Sequence, residues 1–358
     1  MKRQMMKGNE AIAEAAVQAG CRYFFGYPIT PQNEIPEYMS ARLPEVGGAF
    51  VQAESEVAAI NMVYGAAGTG ARSMTSSSSP GISLKQEGIS YIVGAELPCV
   101  IVNIVRGGPG LGSIQPAQSD YYQATRGGGH GDYRMPVFAP ASVQEAVELT
   151  QKAFDVADKY RTPAMILGDG IIGQMMEPVA MPEYRMPELP PKDWAATGWQ
   201  EGTRPRAVIN SLYIKADALE KHNIRLQEKY DQIAAQETLV ETQMMDDAEY
   251  AVVAYGTTAR IALTAIRRAR AEGIRVGLIR PITVWPFPTR TIAELAPNLR
   301  GILTVEMSMG QMVDDVRLAV EGACPVRFHG RAGGAVPGVR EVYEEIRSMK
   351  EGKLHGSF

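Results

Sequence analysis

Gly26-Tyr27-Pro28-Ile29-Thr30-Pro31 and, one βα step later, Gln52-Ala53-Glu54-Ser55-Glu56 are the two stretches that decide the fold. The first reads as the end of a short strand at residues 21–25, a proline-fixed turn and a helix start. Thr30 is expected as N-cap and Pro31 at the first helical position, where a missing N–H leaves nothing unpaired. The second reads as a strand at Ala49–Gln52 running into a helix capped by Ser55, with the Glu56 carboxylate in its first turn. Two successive βα junctions put their tips on one edge of a parallel sheet, the edge at which α/β proteins bind ligands.

The same rhythm continues outward. A helix closed by Gly20 precedes the first stretch. After the second, a strand at 72–75 runs into Ser76-Ser77-Ser78-Ser79-Pro80-Gly81 and a helix to about Val93. The apolar run Cys99–Val105 has the composition of a central parallel strand and ends at Arg106. A glycine-rich loop, 107–112, then Gln118-Ser119-Asp120 and a second glycine cluster follow, before a strand at 137–139 and a helix from Ser142 to Tyr160. Residues 1–180 are thus expected to form an α/β domain with a mainly parallel sheet. Residues 181–246 read as a proline-rich excursion, with Trp194 and Trp199 buried, and a polar connecting helix from Ala216 to about Met245. Residues 247–358 read as a second α/β domain, opening with a strand that turns at Gly256-Thr257-Thr258.

Bulk properties narrow the function. A net charge of −4 provides no basic surplus to neutralise phosphates, which argues against nucleic acid as the main partner. The three cysteines are far apart, so neither a disulfide framework nor a cluster site is expected in this chain. The first residues lack the apolar core of a signal peptide, and no run approaches a membrane span, so a cytoplasmic protein is expected with no membrane partner.

Tyr27-Pro28-Ile29-Thr30-Pro31, Ser55-Glu56, Gly94-Ala95-Glu96-Leu97-Pro98, the strand ending in Arg106 and Gln118-Ser119-Asp120 occur in a characteristic order. Together they resemble the α subunit of the 2-oxoacid:ferredoxin oxidoreductases, while Gly256-Thr257-Thr258 and Arg280-Pro281 resemble that family's transketolase C-terminal-like domain. The details are most similar to the 2-oxoisovalerate type, with the 2-oxoglutarate type as the alternative. The resemblance implies a thiamine diphosphate pyrimidine-binding domain and CoA-dependent oxidative decarboxylation of a 2-oxoacid to an acyl-CoA and carbon dioxide, with electrons passed to ferredoxin. It also implies a hetero-oligomer. A β subunit would carry the diphosphate side, Mg²⁺ and a [4Fe-4S] cluster, with γ and ferredoxin-like subunits beside it, and this chain would be half an active site.

On that resemblance Glu56 is the catalytic residue. Its carboxylate would hydrogen-bond the aminopyrimidine ring, and Tyr27, Pro28 and Ile29 would border the cofactor. Without it, Glu56 is an ordinary first-turn acid; Glu54 is expected to face elsewhere. Thr30 and Arg106 match the residues that bind the substrate carboxylate, where a guanidinium can form two bonds; otherwise they read as a helix cap and a surface ion pair. Gly168-Asp169-Gly170 imitates a metal-binding motif, but no asparagine follows before Asn210, so Asp169 reads as a turn residue and the metal is expected in the partner. The glycine loop 107–112 reads as a cover meeting the partner chain. His130, His222 and His355 are expected to face solvent. A scaffold that keeps the fold without chemistry, and a stand-alone thiamine enzyme, are the competing readings.

Overall fold

Two runs of β-branched and apolar residues, Cys99–Val105 and Pro163–Asp169, pair in parallel as the fully buried centre of the first sheet. The computed structural model describes residues 3–199, 201 and 205–352. In chain order the first unit comprises β1 (Gln4–Lys7), α1 (Gly8–Gln18), β2 (Tyr23–Gly26), α2 (Glu34–Glu45), β3 (Ala49–Gln52), α3 (Glu56–Gly68), β4 (Ser73–Ser77), α4 (Pro80–Gly94) and β5 (Cys99–Val105). It continues with α5 (Tyr121–Arg126), β6 (Val137–Phe138), α6 (Val143–Tyr160), β7 (Pro163–Asp169), α7 (Gly170–Gln174) and β8 (Met176–Val179). β1 and β8 form a small antiparallel ribbon.

The remaining elements are α8 (Ala216–Glu237), β9 (Val240–Gln243), β10 (Tyr250–Val253), α9 (Gly256–Ala271), β11 (Val276–Pro281), β12 (Thr283–Trp285), α10 (Thr289–Leu295), β13 (Gly301–Glu306), α11 (Met312–Val320), β14 (Val326–Gly330) and α12 (Val339–Lys350). The sheet orders are β12-β6-β7-β5-β4-β2-β3 and β14-β13-β10-β11-β9. Only the edge pairs β12–β6 and β11–β9 are antiparallel in these two sheets. The architecture is the expected pair of α/β units with mainly parallel sheets.

The two units are bound together tightly. β12, late in the sequence, completes the edge of the first sheet. Arg280 forms a bidentate pair with Glu145 across the seam, at 2.9 and 2.8 Å, and a further bond to Glu241. Gln118 donates to the Tyr255 carbonyl at 2.9 Å and accepts from the Thr258 hydroxyl and the Met307 N–H.

Several local expectations give way to tertiary context. The polar helix α8 stops at Glu237, and the chain after it becomes the edge strand β9. One face of α8, with His222, Leu226, Tyr230 and Ile233, is buried, so His222 does not face solvent. Its ring stacks on Tyr213 at 4.8 Å, and burial lowers its pKa. His130 is exposed; His355 lies outside the described residues. Trp194 is half-buried beneath the Arg161 guanidinium, whereas Trp199 remains 45% exposed with the Arg206 guanidinium 5.1 Å above its ring.

Candidate functional site

The carboxyl ends of β2, β3, β4 and β5 share one edge, and the sequence-predicted site residues gather there. Ser55 is extended and its Oγ accepts from the Ala58 N–H at 3.2 Å, which fixes Glu56 as the first residue of α3. Glu56 is 7% exposed, while Glu54 points to solvent. The Glu56 carboxylate lies against the first turn of α4: a Cβ added to Gly81 would stand 2.8 Å from Oε1 and collide with the Ser77 hydroxyl. Only glycine leaves room for that approach. Among the described residues no protein donor hydrogen-bonds the Glu56 carboxylate.

Thr30 does not cap a helix. α2 begins at Glu34, after a cis Thr30–Pro31 bond and a turn, and the Thr30 hydroxyl accepts from the Asn33 side chain at 3.3 Å. Tertiary contact prevails over local propensity here, since the Thr30 carbonyl is taken by Arg106 Nη1 at 3.0 Å. Tyr27, Pro28 and Thr30 are exposed on this loop and Ile29 is half-buried.

Arg106 is buried at the end of β5. Its Nη2 donates to the Leu111 carbonyl at 3.0 Å, so one guanidinium joins the Thr30 turn to the glycine loop. Its Nε is buried without a partner among the described residues. Ser79 holds its backbone: Ser79 Oγ accepts from the Arg106 N–H at 3.0 Å, the Ser79 N–H donates to Asn103 Oδ1, and Asn103 Nδ2 donates to Asp120 at 2.9 Å. Ser79 has φ +21°, a sparsely populated conformation this network must hold. Burial raises the pKa of Asp120.

The glycine loop faces the second unit. A Cβ at Gly107 would stand 2.8 Å from the Gly333 carbonyl carbon, and a cleft of about 420 Å³ opens between Ser79, Gly108, Asp120, Ser308 and Gln311. Asp169 N-caps α7, its Oδ1 accepting from the Ile171 and Ile172 N–H groups and from the Thr257 hydroxyl. Among the described residues no cluster of three or more His, Cys, Asp or Glu side chains could hold a metal, and no helix is long and apolar enough to cross a membrane.

Sequence reasoning missed Lys85, which is fully buried in α4 beside this edge. A lysine between Ile82 and Ile89 on an apolar helical stripe was the signal. It also missed Gln32, which is fully buried; its Oε1 accepts from the Ser76 hydroxyl, and its Nε2 has no partner among the described residues.

Comparison with known proteins places this geometry in a family. Residues 14–243 match the family described as pyruvate flavodoxin/ferredoxin oxidoreductase, thiamine diphosphate-binding, and residues 248–342 match pyruvate:ferredoxin oxidoreductase core domain II. The chain is 52% identical to the ketoisovalerate oxidoreductase subunit VorB of Methanothermobacter thermautotrophicus, over 98% of each chain. It is 37% identical to that organism's 2-oxoglutarate synthase subunit KorA, over 96% of this chain and 98% of the other. The solved 2-oxoglutarate:ferredoxin oxidoreductase from Magnetococcus marinus, with 2-oxoglutarate, coenzyme A and succinyl-CoA bound, superposes with a TM-score of 0.88 at 25% identity; the match covers 97% of this chain and 65% of that one. A split-gene transketolase at 15% identity, TM-score 0.62, shares the fold over 98% of this chain and 99% of that one. The chain is a member of the 2-oxoacid:ferredoxin oxidoreductase family and carries its thiamine diphosphate-binding domain.

Proposed function

We propose that this chain is the pyrimidine-side subunit of an oxidoreductase that converts a branched-chain 2-oxoacid, 2-oxoisovalerate, and coenzyme A into an acyl-CoA and carbon dioxide, with electrons leaving to ferredoxin. The single observation carrying the reading is a buried Glu56 carboxylate without a hydrogen-bond donor among the described residues, on the same sheet edge as an Arg106–Thr30 contact. The residues fit thiamine diphosphate: the Ser77 and Ser78 hydroxyls, Gln32 Nε2 and Arg106 Nε are buried polar atoms without partners among the described residues, the pattern expected where a polar ligand completes a site.

When bound, thiamine diphosphate supplies a carbon nucleophile and an electron sink for the decarboxylation. Glu56 would accept a hydrogen bond from the aminopyrimidine ring and share its proton, in a pocket where burial strengthens that bond. Arg106 would hold the substrate carboxylate, and the Thr30 hydroxyl can reach the same anion while accepting from Asn33. Tyr27, Pro28 and Ile29 would border the cofactor. A β subunit would supply the diphosphate side, Mg²⁺ and a [4Fe-4S] cluster, with γ and ferredoxin-like subunits completing a cytoplasmic assembly. The divisions 1–180, 181–246 and 247–358 serve this plan, with β12 crossing back to the first sheet. The resemblance to VorB over 98% of both chains supports the branched-chain substrate.

Assay of the isolated chain and of the assembled complex against a panel of 2-oxoacids tests the reading. The lone chain should be inactive, and the complex should favour 2-oxoisovalerate over 2-oxoglutarate in kcat/KM by about 10-fold or more. Activity in the lone chain would end the half-site reading. A preference for 2-oxoglutarate would move the enzyme to the other substrate type, and a complex inactive with every 2-oxoacid would leave a scaffold.

A further inference from the structure

Helix α4 presents an apolar stripe of fully buried isoleucines, Ile82, Ile89 and Ile92, and Lys85 stands within it with no exposed surface. Its Nζ donates to Thr75 Oγ1 at 2.9 Å and to the Ser76 carbonyl at 3.2 Å. Both acceptors are neutral. An ammonium has three donors and a charge that two neutral acceptors do not compensate, so burying it here opposes folding. A packing role alone does not call for a lysine, because an unbranched apolar side chain would fill the same space.

The anion that acts on it is Glu56. Gly81, one helical turn before Lys85 on the same face of α4, is the residue against which the Glu56 carboxylate rests. Further along the seam, Ile60 of α3 packs into the space left by Gly88. From β4, Lys85 bonds a hydroxyl and a carbonyl; from the start of α3, the charge of Glu56 acts on it across the seam. Among the described residues Glu56 is the one ionisable group that acts on its charge. Burial brings the Lys85 pKa down to about 7, with Glu56 pulling it back upward, so the amine changes charge near neutrality.

We propose that Lys85 is a positioning residue for Glu56, a buried amine whose charge sets where the proton rests between the Glu56 carboxyl and the cofactor ring nitrogen it faces. This rests on the reading of Glu56 given above. A charged Lys85 favours negative charge on its side of that hydrogen bond, and a neutral Lys85 withdraws the field. Lys85 neither touches the substrate nor transfers a proton; it acts through the field it places across the α3–α4 seam.

The test uses the assembled holoenzyme carrying Lys85→Met, compared with the parent and with Glu56→Gln. For the parent, kcat should show an inflection near pH 7 that the Lys85→Met enzyme lacks. At pH 7 the variant's kcat should fall about 10-fold, with KM for the 2-oxoacid within about twofold. Calorimetry of thiamine diphosphate binding in two buffers of different ionisation enthalpy should show fewer protons exchanged near pH 7 in the variant. Stability gives an independent readout. The unfolded chain keeps its lysine proton between about pH 7 and 10.4, so parent stability rises with pH through that window. Lys85→Met should therefore raise Tm most at or below pH 7 and least near pH 10.

A variant that keeps the parent's pH profile and proton count overturns the proposal, as does one that cannot assemble, since that would make the amine structural. Glu56→Gln separates the two readings. If it keeps full turnover, the role of Glu56 fails. If it loses turnover while Lys85→Met behaves as the parent, only the proposal for Lys85 fails.

Discussion

Glu56 and Glu306 are both buried glutamates at the carboxyl edge of a parallel sheet, one in each unit, and they differ in what surrounds them. Glu306, the last residue of β13, accepts from the Ser308 hydroxyl and from the Gln311, Met312 and Val313 N–H groups, between 2.9 and 3.1 Å. It closes the N-terminus of α11 and its oxygens are fully engaged, even though burial raises its pKa. Glu56 begins its helix, but Ser55 does the capping, which leaves the carboxylate free to rest against Gly81, where its charge acts on Lys85. A buried carboxylate satisfied by its own fold is a structural device. One left unsatisfied, at the cost of stability, is where a ligand belongs.

That contrast can be broken by exchange experiments. Glu56→Gln should lower kcat of the assembled enzyme by about 10²- to 10⁴-fold with little change in Tm, measured by steady-state kinetics and calorimetry. Glu306→Gln should do the reverse: it places an amide against N–H donors and should lower stability by about 2 to 4 kcal/mol in denaturant titration, while kcat per folded molecule stays near the parent's. If both variants lose activity and stability in equal proportion, the distinction drawn between the two glutamates is wrong. A milder probe is Arg106→Ala. Loss of the guanidinium should lower kcat/KM for the 2-oxoacid by about 10- to 100-fold, chiefly through KM, and an unchanged KM would remove Arg106 from the substrate site. The smallest effect belongs to Ser55→Ala, which should lower stability by about 1 kcal/mol and leave KM unaltered, since Ser55 serves the helix and not the ligand.

Much of this was legible in the sequence where local rules and tertiary structure agree. The apolar run of β5 has the bounds expected of it, and Ser55 and Ser142 cap the helices they precede. Legibility failed where a distant contact decided the outcome. Thr30-Pro31 has the chemistry of a helix start, yet Arg106 claims the Thr30 carbonyl and the helix begins later. The polar surface of α8 hid one buried stripe, His222, Leu226, Tyr230 and Ile233, although its helical spacing was present. Lys85 reads as one more surface lysine until its neighbours on the stripe are counted. Nothing near Thr283-Val284-Trp285 indicates which sheet it joins, because that depends on the packing of one unit against the other.

The placement of β12 has a consequence for how the chain is made. Until Thr283–Trp285 leaves the ribosome, the outer edge of β6 has no neighbour, although every other strand of the first sheet has long since been synthesised. The nascent chain therefore carries an open, apolar strand edge from the emergence of Val137–Phe138 until that of Thr283–Trp285. A fragment cut at residue 243, where the match to the thiamine-binding family ends, would keep that edge permanently bare. The amino-terminal two thirds of this molecule is a domain by its sequence similarity, but it is closed only by the third that follows.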